Sequence, residues 1–358
     1  MIMKWITPVW VVFFLCFSAR AVIYGSLTAV SRQALITLPA NDATNELRGF
    51  GAFENGFTLT NASTACLFTS LFPVSGPISL NGGTLTLNQS MVLDSDADIK
   101  SAGIIVGNNY KLVLPAKMSS YTLPSTTLTW GLTLHSVKLC LQSDLVFNVP
   151  VIFQGTCEIQ GNGYSLTLAH ATGISIASGA SLLMKDVIVK NVSGTKIGFA
   201  ATSSFLKIQD VVWCLNGNTT LSTGYFNLIG NWYINGPYSL SYTSAQTSTI
   251  LSNGQLCMGF GSTLNYAPSV SVQNLLLFSD ATAKLLLHGA TLSASTVGMQ
   301  LTRGSLICDG KSYITSSGTT AATGISLGGA SSGDDVTIEI LPGASVEVAG
   351  FVGYKNFN

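Results

Sequence analysis

Apolar and polar residues alternate with a period of two along most of this chain. Gly83-Thr-Leu-Thr-Leu-Asn88 and Gly173-Ile-Ser-Ile-Ala177 are two of many such runs. A period of two belongs to the β-strand, where successive side chains point to opposite faces, so one face is buried and the other meets water. No stretch after the N-terminus combines a 3.6-residue period with helix caps. The pattern predicts an all-β chain.

Three near-identical runs show how the strands are joined. They are Ile176-Ala-Ser-Gly-Ala-Ser-Leu182, Leu286-Leu-His-Gly-Ala-Thr-Leu292 and Ile340-Leu-Pro-Gly-Ala-Ser-Val346. Each is an apolar strand end, a turn built on Gly-Ala plus a hydroxyl residue, and a new alternating strand. Glycine allows the tight bend, and alanine is small enough to lie close to a neighbouring coil. A turn recurring at scattered points of a β-rich chain predicts a coiling solenoid.

Internal repeats give the period. Thr84 to Pro115 aligns with Lys138 to Ala169 at an offset of 54, with Leu85 and Leu87 on Leu139 and Leu141 and Gly107 to Leu114 on Gly161 to Leu168. Leu182-Leu-Met-Lys-Asp-Val187 aligns with Leu206-Lys-Ile-Gln-Asp-Val211 at an offset of 24. With roughly 22–27 residues per coil, the first offset is expected to span two coils and the second one. That period also suits leucine-rich repeats, but their asparagine signature and helical half are absent, so a parallel β-helix is the expected fold.

Composition fits that choice, with 36 Gly, 47% hydrophobic residues and only 9% charged ones. Residues 22–75 hold Arg32, Arg48, Glu46 and Glu54 and lack clear repeats; they are expected to form an N-terminal cap over otherwise exposed strand edges. Coils are expected over 76–353, about 11 of them at this period, with an irregular aromatic insertion at about 222–245, a long polar loop or lateral extension over Thr315 to Gly333, and a short tail at 354–358.

The N-terminus has the layout of a secretory signal over residues 1–21: the basic Lys4, an apolar run from Trp5 to Ser18, and Ala19-Arg-Ala21 at the cleavage site. The apolar run is shorter than the ~20 residues of a comfortable membrane span, so a secreted, periplasmic or cell-surface protein with no stable span after cleavage is expected. Cleavage would remove Lys4 and Arg20, leaving 14 basic residues against 16 acidic ones, a net charge of −2. That balance gives no basic footprint for nucleic acid. Cys66, Cys140, Cys157, Cys214, Cys257 and Cys308 would remain. An even count in an exported chain permits disulfides, yet no close pair occurs, and inward-facing thiols are the preferred reading. Their spacing with His fits no zinc pattern.

Together these features resemble the right-handed parallel β-helix (pectin-lyase-like) superfamily, which includes pectate lyases, polygalacturonases, phage tailspikes and autotransporter adhesin passengers. The resemblance implies that fold over about Val74 to Val352, and enzyme, adhesin and structural roles all occur on it. The chain is also similar to the passengers of chlamydial polymorphic outer-membrane proteins. Their G-G-A-[ILV] repeat is absent, and Gly82-Gly-Thr-Leu85 and Gly328-Gly-Ala-Ser331 only approach it.

Candidate chemistry is sparse. Asp186 and Asp210, one period apart, would stack on adjacent coils and could share Ca²⁺ or perturb each other. The plainer alternative is that each bonds backbone amides at a corner. Asp334 and Asp335 match the paired carboxylates of inverting hydrolysis, but the N-T-D, G-H-G and R-I-K companions of polygalacturonases are missing, which leaves a solvated turn. Asp94, Asp96 and Asp98 open like a calcium loop, but Ile99 and Ile105 stand where Gly and Glu are required. His135, His170 and His288 are scattered. Tyr225, Trp232, Tyr233 and Tyr238, with Asn227, Asn231 and Asn235, offer rings for sugar stacking and amides for hydroxyls; alternatively the rings fill a coil or seal a hairpin. The expected function is an exported, non-enzymatic surface for attachment or binding of a glycan or surface protein, without metal or cofactor. A polysaccharide lyase or glycoside hydrolase is the alternative.

Overall fold

The computed structural model describes residues 22–25, 36–38, 44–49, 56–59, 64–69, 74–101, 103–117, 121–123, 131–329, 331 and 333–354. The expected signal peptide, 1–21, and most of the expected tail lie outside these residues.

The chain is an all-β parallel solenoid of about 11 turns, without helix among the described residues. Three strands make each turn, one per face. In the middle of the molecule the first face carries Leu132–His135, Val151–Gln154 and Ile174–Ile176, the second Lys138–Cys140 and Thr156–Gln160, the third Leu145–Phe147 and Ser165–Leu168. The pairings between coils are all parallel, as between Val151 and Ile174 and between Leu145 and Leu166. Ser181–Gly194 and Phe205–Leu221 are longer strands that continue through a corner and serve more than one face.

Alternation does what the sequence implied. On the third face Leu145, Leu166, Val189, Trp213, Ile234, Met258, Leu287 and Cys308 follow one another up the ladder, all buried. Each large apolar side chain so buried contributes about 1.5–3 kcal/mol. The hydrophobic content is high because every coil adds three inward rows.

Corners are fixed by asparagine. Asn81, Asn108, Asn162 and Asn191 have φ of +48° to +63°, a region that Asn enters more readily than most residues. Their side-chain amides donate to Leu59 O, Leu87 O, Leu141 O and Leu168 O, in each case one coil back, at 2.9, 3.0, 2.8 and 2.7 Å. One residue type thus makes the bend and satisfies a carbonyl where the strand ladder stops. The three Gly-Ala runs are corners too: Gly179, Gly289 and Gly343 all have positive φ. The first joins first to second face; the others leave the third.

The 24-residue offset is one coil: Leu182 pairs with Leu206, Met184 with Ile208 and Val187 with Val211. The 54-residue offset is not two coils. Leu112, on the second face, pairs with Leu139, which pairs with Ile159, whereas its sequence match Leu166 lies on the third face. Counting strands from Lys111–Val113 to Ser165–Leu168 gives seven faces, two and a third turns. Coil length itself varies, from 19 residues at Thr133–Ile152 to 34 at Lys311–Ser345.

Of two expected irregularities the aromatic insertion is absent, while the polar run, in the longest coil, leaves the ladder only between Ser316 and Ile325 and after Leu327. Tyr225–Leu228, Asn231–Asn235 and Ser239–Tyr242 form an ordinary three-strand coil on Phe205–Leu221. Within Thr315 to Gly333, Ile325–Leu327 is a strand in ladder with Met299–Leu301. At the other end Val22–Gly25, Thr44–Gly49 and Thr64–Thr69 pair in parallel up to Thr84–Leu87, so backbone pairing marks no boundary at residue 75. Five cysteines, Cys140, Cys157, Cys214, Cys257 and Cys308, carry free thiols. Cys66 has no described side chain.

Candidate functional site

Asp186 and Asp210 do stack, on consecutive coils at the corner between second and third faces, with φ of +50° and +55°. Their roles are those of corner residues. Asp186 O accepts from Gly163 N at 2.9 Å. Asp210 Oδ1 accepts from Asn231 N at 3.1 Å and Asn231 Nδ2 at 3.0 Å, binding one coil to the next. Lys185 and Lys207 belong to the second-face strands before the bend.

Asp334 is also committed to structure. Its Oδ2 accepts from Ser331 N at 3.1 Å and its Oδ1 from Arg303 Nε at 3.2 Å. The Ser331 amide first, and the Arg303 guanidinium with it, hold the carboxyl below the usual range. A general acid needs the opposite shift. Asp94 accepts from Ser95 N at 2.6 Å in a turn, and no three acidic, His or Cys side chains among the described residues gather as a metal site.

The aromatic candidates separate. Trp232 is a core residue, not an exposed ring: it is fully buried, edge-on to Trp213 at 4.7 Å and to Phe226 at 5.1 Å between centroids. Strand alternation sends its neighbour Tyr233 outward on the third face, 39% exposed. Tyr225 lies on the second face, stacked on Phe205 at 4.5 Å and 21°. Tyr238 is exposed in the corner after the third face. The filled-coil alternative therefore accounts for Trp232, and the other three rings sit on different sides.

Around Tyr233 the structure gathers groups that the sequence left scattered. Ile188, Val212, Tyr233, Cys257, Leu286 and Ile307 form one outward row up six coils of the third face. In the parallel row, Cys214 pairs with Asn235, and His288 with Asp309. Gly259 follows Met258, the partner of both Ile234 and Leu287, so it falls between Asn235 and His288, and the Asn235 amide oxygen lies over it, 2.9 Å from where a Cβ would stand. Phe260, next in the chain, is 79% exposed. A Cβ at Gly289 would stand 2.7 Å from the Phe260 ring, which places that ring against the His288–Gly289 corner.

His288 Nδ1 meets Asp309 Oδ2 at 2.6 Å on this open face. An Asp-oriented imidazole is also two-thirds of a nucleophilic triad. Cys257 does not complete it: it is covered, and burial, with Asp309 adding, pushes its thiol up, away from a reactive thiolate.

Phe260 and Asp309 escaped sequence reasoning, which met His288 only as one of three scattered histidines. A signal existed: Leu286-Leu-His288 and Ile307-Cys-Asp309 share an apolar frame at a 21-residue offset, readable once the local coil length is known. The surface so built offers two rings, an amide lying over Gly259, an imidazole and a carboxylate. It can stack on a planar or ring-shaped ligand and exchange hydrogen bonds with hydroxyls.

Comparison with known protein families, characterised proteins and solved structures finds no match. What the chain does is argued from its own surface.

Proposed function

We propose that this chain is an exported, non-enzymatic solenoid that presents an elongated surface for attachment or ligand binding at the cell envelope. Glycan is the ligand class its chemistry suits best. The observation that carries this reading is the third-face patch of Tyr233, Asn235, Phe260, His288 and Asp309, where exposed rings stand beside hydrogen-bonding groups on a rigid scaffold. Rigid strands hold such groups more accurately than loops do. Two of the four carboxylates considered for catalysis are tied into corners, Asp210 to Asn231 and Asp334 to Ser331 and Arg303.

The test is retention on a panel of immobilised polysaccharides, with reducing ends and unsaturated products measured on the same samples. The expected result is retention without turnover, weakened at least about tenfold in Tyr233→Ala/Phe260→Ala, the ~1.4 kcal/mol that loss of one aromatic contact represents. Turnover abolished by Asp186→Ala or Asp210→Ala in a folded protein would replace this reading with the lyase or hydrolase one.

A further inference from the structure

Charge is unevenly spread along this chain. Residues 103–210 hold seven lysines against four acidic side chains, a net charge of +3 within a total of zero. Residues 211–358 hold four basic side chains against six acidic ones, a net of −2. Four of the seven lysines gather on one face of the solenoid.

That face is the second. Lys111 pairs with Lys138, Lys138 with Glu158, Glu158 with Leu183 and Leu183 with Lys207, one straight row over five coils. Their strand neighbours Leu112, Leu139, Ile159, Leu182 and Leu206 are buried, so the row points outward. Lys185, two residues after Leu183 in the same strand, lies on the same side of the sheet. At about 4.8 Å per coil, the row from Lys111 to Lys207 is about 19 Å long. Among the described residues, neither Glu158 nor any of the four lysines is in an ion pair.

The partner follows from charge and shape. A line of unpaired ammonium groups attracts anions. Its step is the coil spacing, which is close to the length of one sugar residue in an extended chain. Asp186 and Asp210 are exposed at the corner beside the strip. A planar anionic surface would meet those carboxylates too, whereas a chain lying along the row would not. Open ring faces are not what this strip offers: Phe205 is stacked on Tyr225, with the Lys207 ammonium 5.4 Å from its centroid.

We propose that the second face between Lys111 and Lys207 is a binding strip for a linear, densely anionic glycan. The choice of a glycan rests on the glycan-binding reading above. The site is separate from the third-face patch and works by charge instead of stacking, so either can fail alone.

Retention on immobilised dextran sulfate, with unsubstituted dextran of the same length as control, tests this. The expected result is retention on dextran sulfate alone, lost at about 1 M salt, where the screening length is about 3 Å. Lys138→Gln/Lys185→Gln is expected to weaken it at least about fivefold. Glu158→Gln removes the one opposing charge of the row and is expected to tighten retention about twofold, a gain that misfolding cannot imitate. Lys284→Gln removes a lysine from the third face. It is expected to change nothing, and so is Tyr233→Ala/Phe260→Ala, which separates this strip from the third-face patch. Equal retention on both dextrans, no gain in Glu158→Gln, or a loss in Lys284→Gln matching that of the strip variant overturns the proposal. Capture by phosphatidylglycerol vesicles without retention on dextran sulfate overturns it in favour of a lipid surface.

Discussion

The aromatic middle of the solenoid and its C-terminal coil are written in the same period-two pattern, yet the pattern has different consequences in the two places. Between Phe205 and Tyr266 the inward residues of the three faces include Trp213, Phe226, Trp232, Tyr242 and Tyr266, packed edge-on or stacked at 4.7–6.1 Å between centroids. In the last coil the inward row is Ile338, Ile340, Val346 and Val348, covered on one side. Burial in a solenoid is therefore a property of a coil's neighbours. An inward residue contributes its full stability only where a coil lies on either side.

Truncating the two rows separates them most strongly. Trp232→Ala leaves a cavity among Trp213 and Phe226 and is expected to cost about 3–5 kcal/mol, read from urea unfolding. Ile340→Ala, at a position already open, is expected to cost no more than ~0.5 kcal/mol in the monomer. Equal costs would mean that the end is covered in the isolated chain. Trp232→Phe sharpens the comparison. The indole N–H groups of Trp213 and Trp232 are both buried without a partner, and an unsatisfied buried donor costs about 1–3 kcal/mol. Replacing Trp232 by Phe removes one such group along with some packing, so its cost is expected to be less than half that of the alanine variant.

These contrasts also show what could be read from the sequence. The alternation gave the fold directly, because inward and outward residues differ in polarity at nearly every strand. It could not say which of Trp232 and Tyr233 faces the core. Parity is reset at each corner: Met184 and Val187 both point inward, three residues apart, because Asp186 between them takes a left-handed conformation, and Ile208, Asp210 and Val211 repeat the arrangement. Without the corner's geometry, counting by twos assigns the wrong face. Coil length hid the rest. The 24-residue spacing was found because Leu182–Val187 and Leu206–Val211 are alike in sequence. The 21 residues between His288 and Asp309 join dissimilar side chains, and with coils of 19 to 34 residues no fixed period would have paired them.

Corners between coils come next in expected effect. Asn162 has φ of +52° and donates to Leu141 O at 2.8 Å. Asn162→Ala loses the bond and puts a less tolerant residue in the left-handed region, for about 1–2 kcal/mol. Asn162→Gly keeps the conformation and loses only the bond, and is expected to cost about half as much. A difference between these two variants in chemical unfolding assigns the corner's stability between bend and bond. Equal costs would assign it to the bond alone. Among the described residues no such asparagine corner joins the last coil to the one before it. There the turn at Gly343 and the exposed Lys311–Glu347 pair, 2.9 Å apart, stand in its place.

The smallest expected effect lies at Asp280, where a carboxylate does for one corner what asparagine does elsewhere. Ser252, one coil back, donates to its Oδ2, and the Thr282 hydroxyl and amide donate to Oδ1 at 2.6 and 2.8 Å. These bonds, the Ser252 hydroxyl foremost, favour the ionised form and lower the carboxyl from 3.8 to about 2. A carboxyl depressed in the folded state stabilises that state above its unfolded pKa and loses this contribution as pH falls through the folded one. The melting temperature should therefore carry an Asp280-dependent decline between about pH 4 and pH 2, absent from Asp280→Asn, and the side chain is exposed enough that the decline should be slight. The asparagine corners have no titrating group and should hold through the same range. An Asp280→Asn protein with the wild-type acid profile would show that this corner does not bind its two coils together.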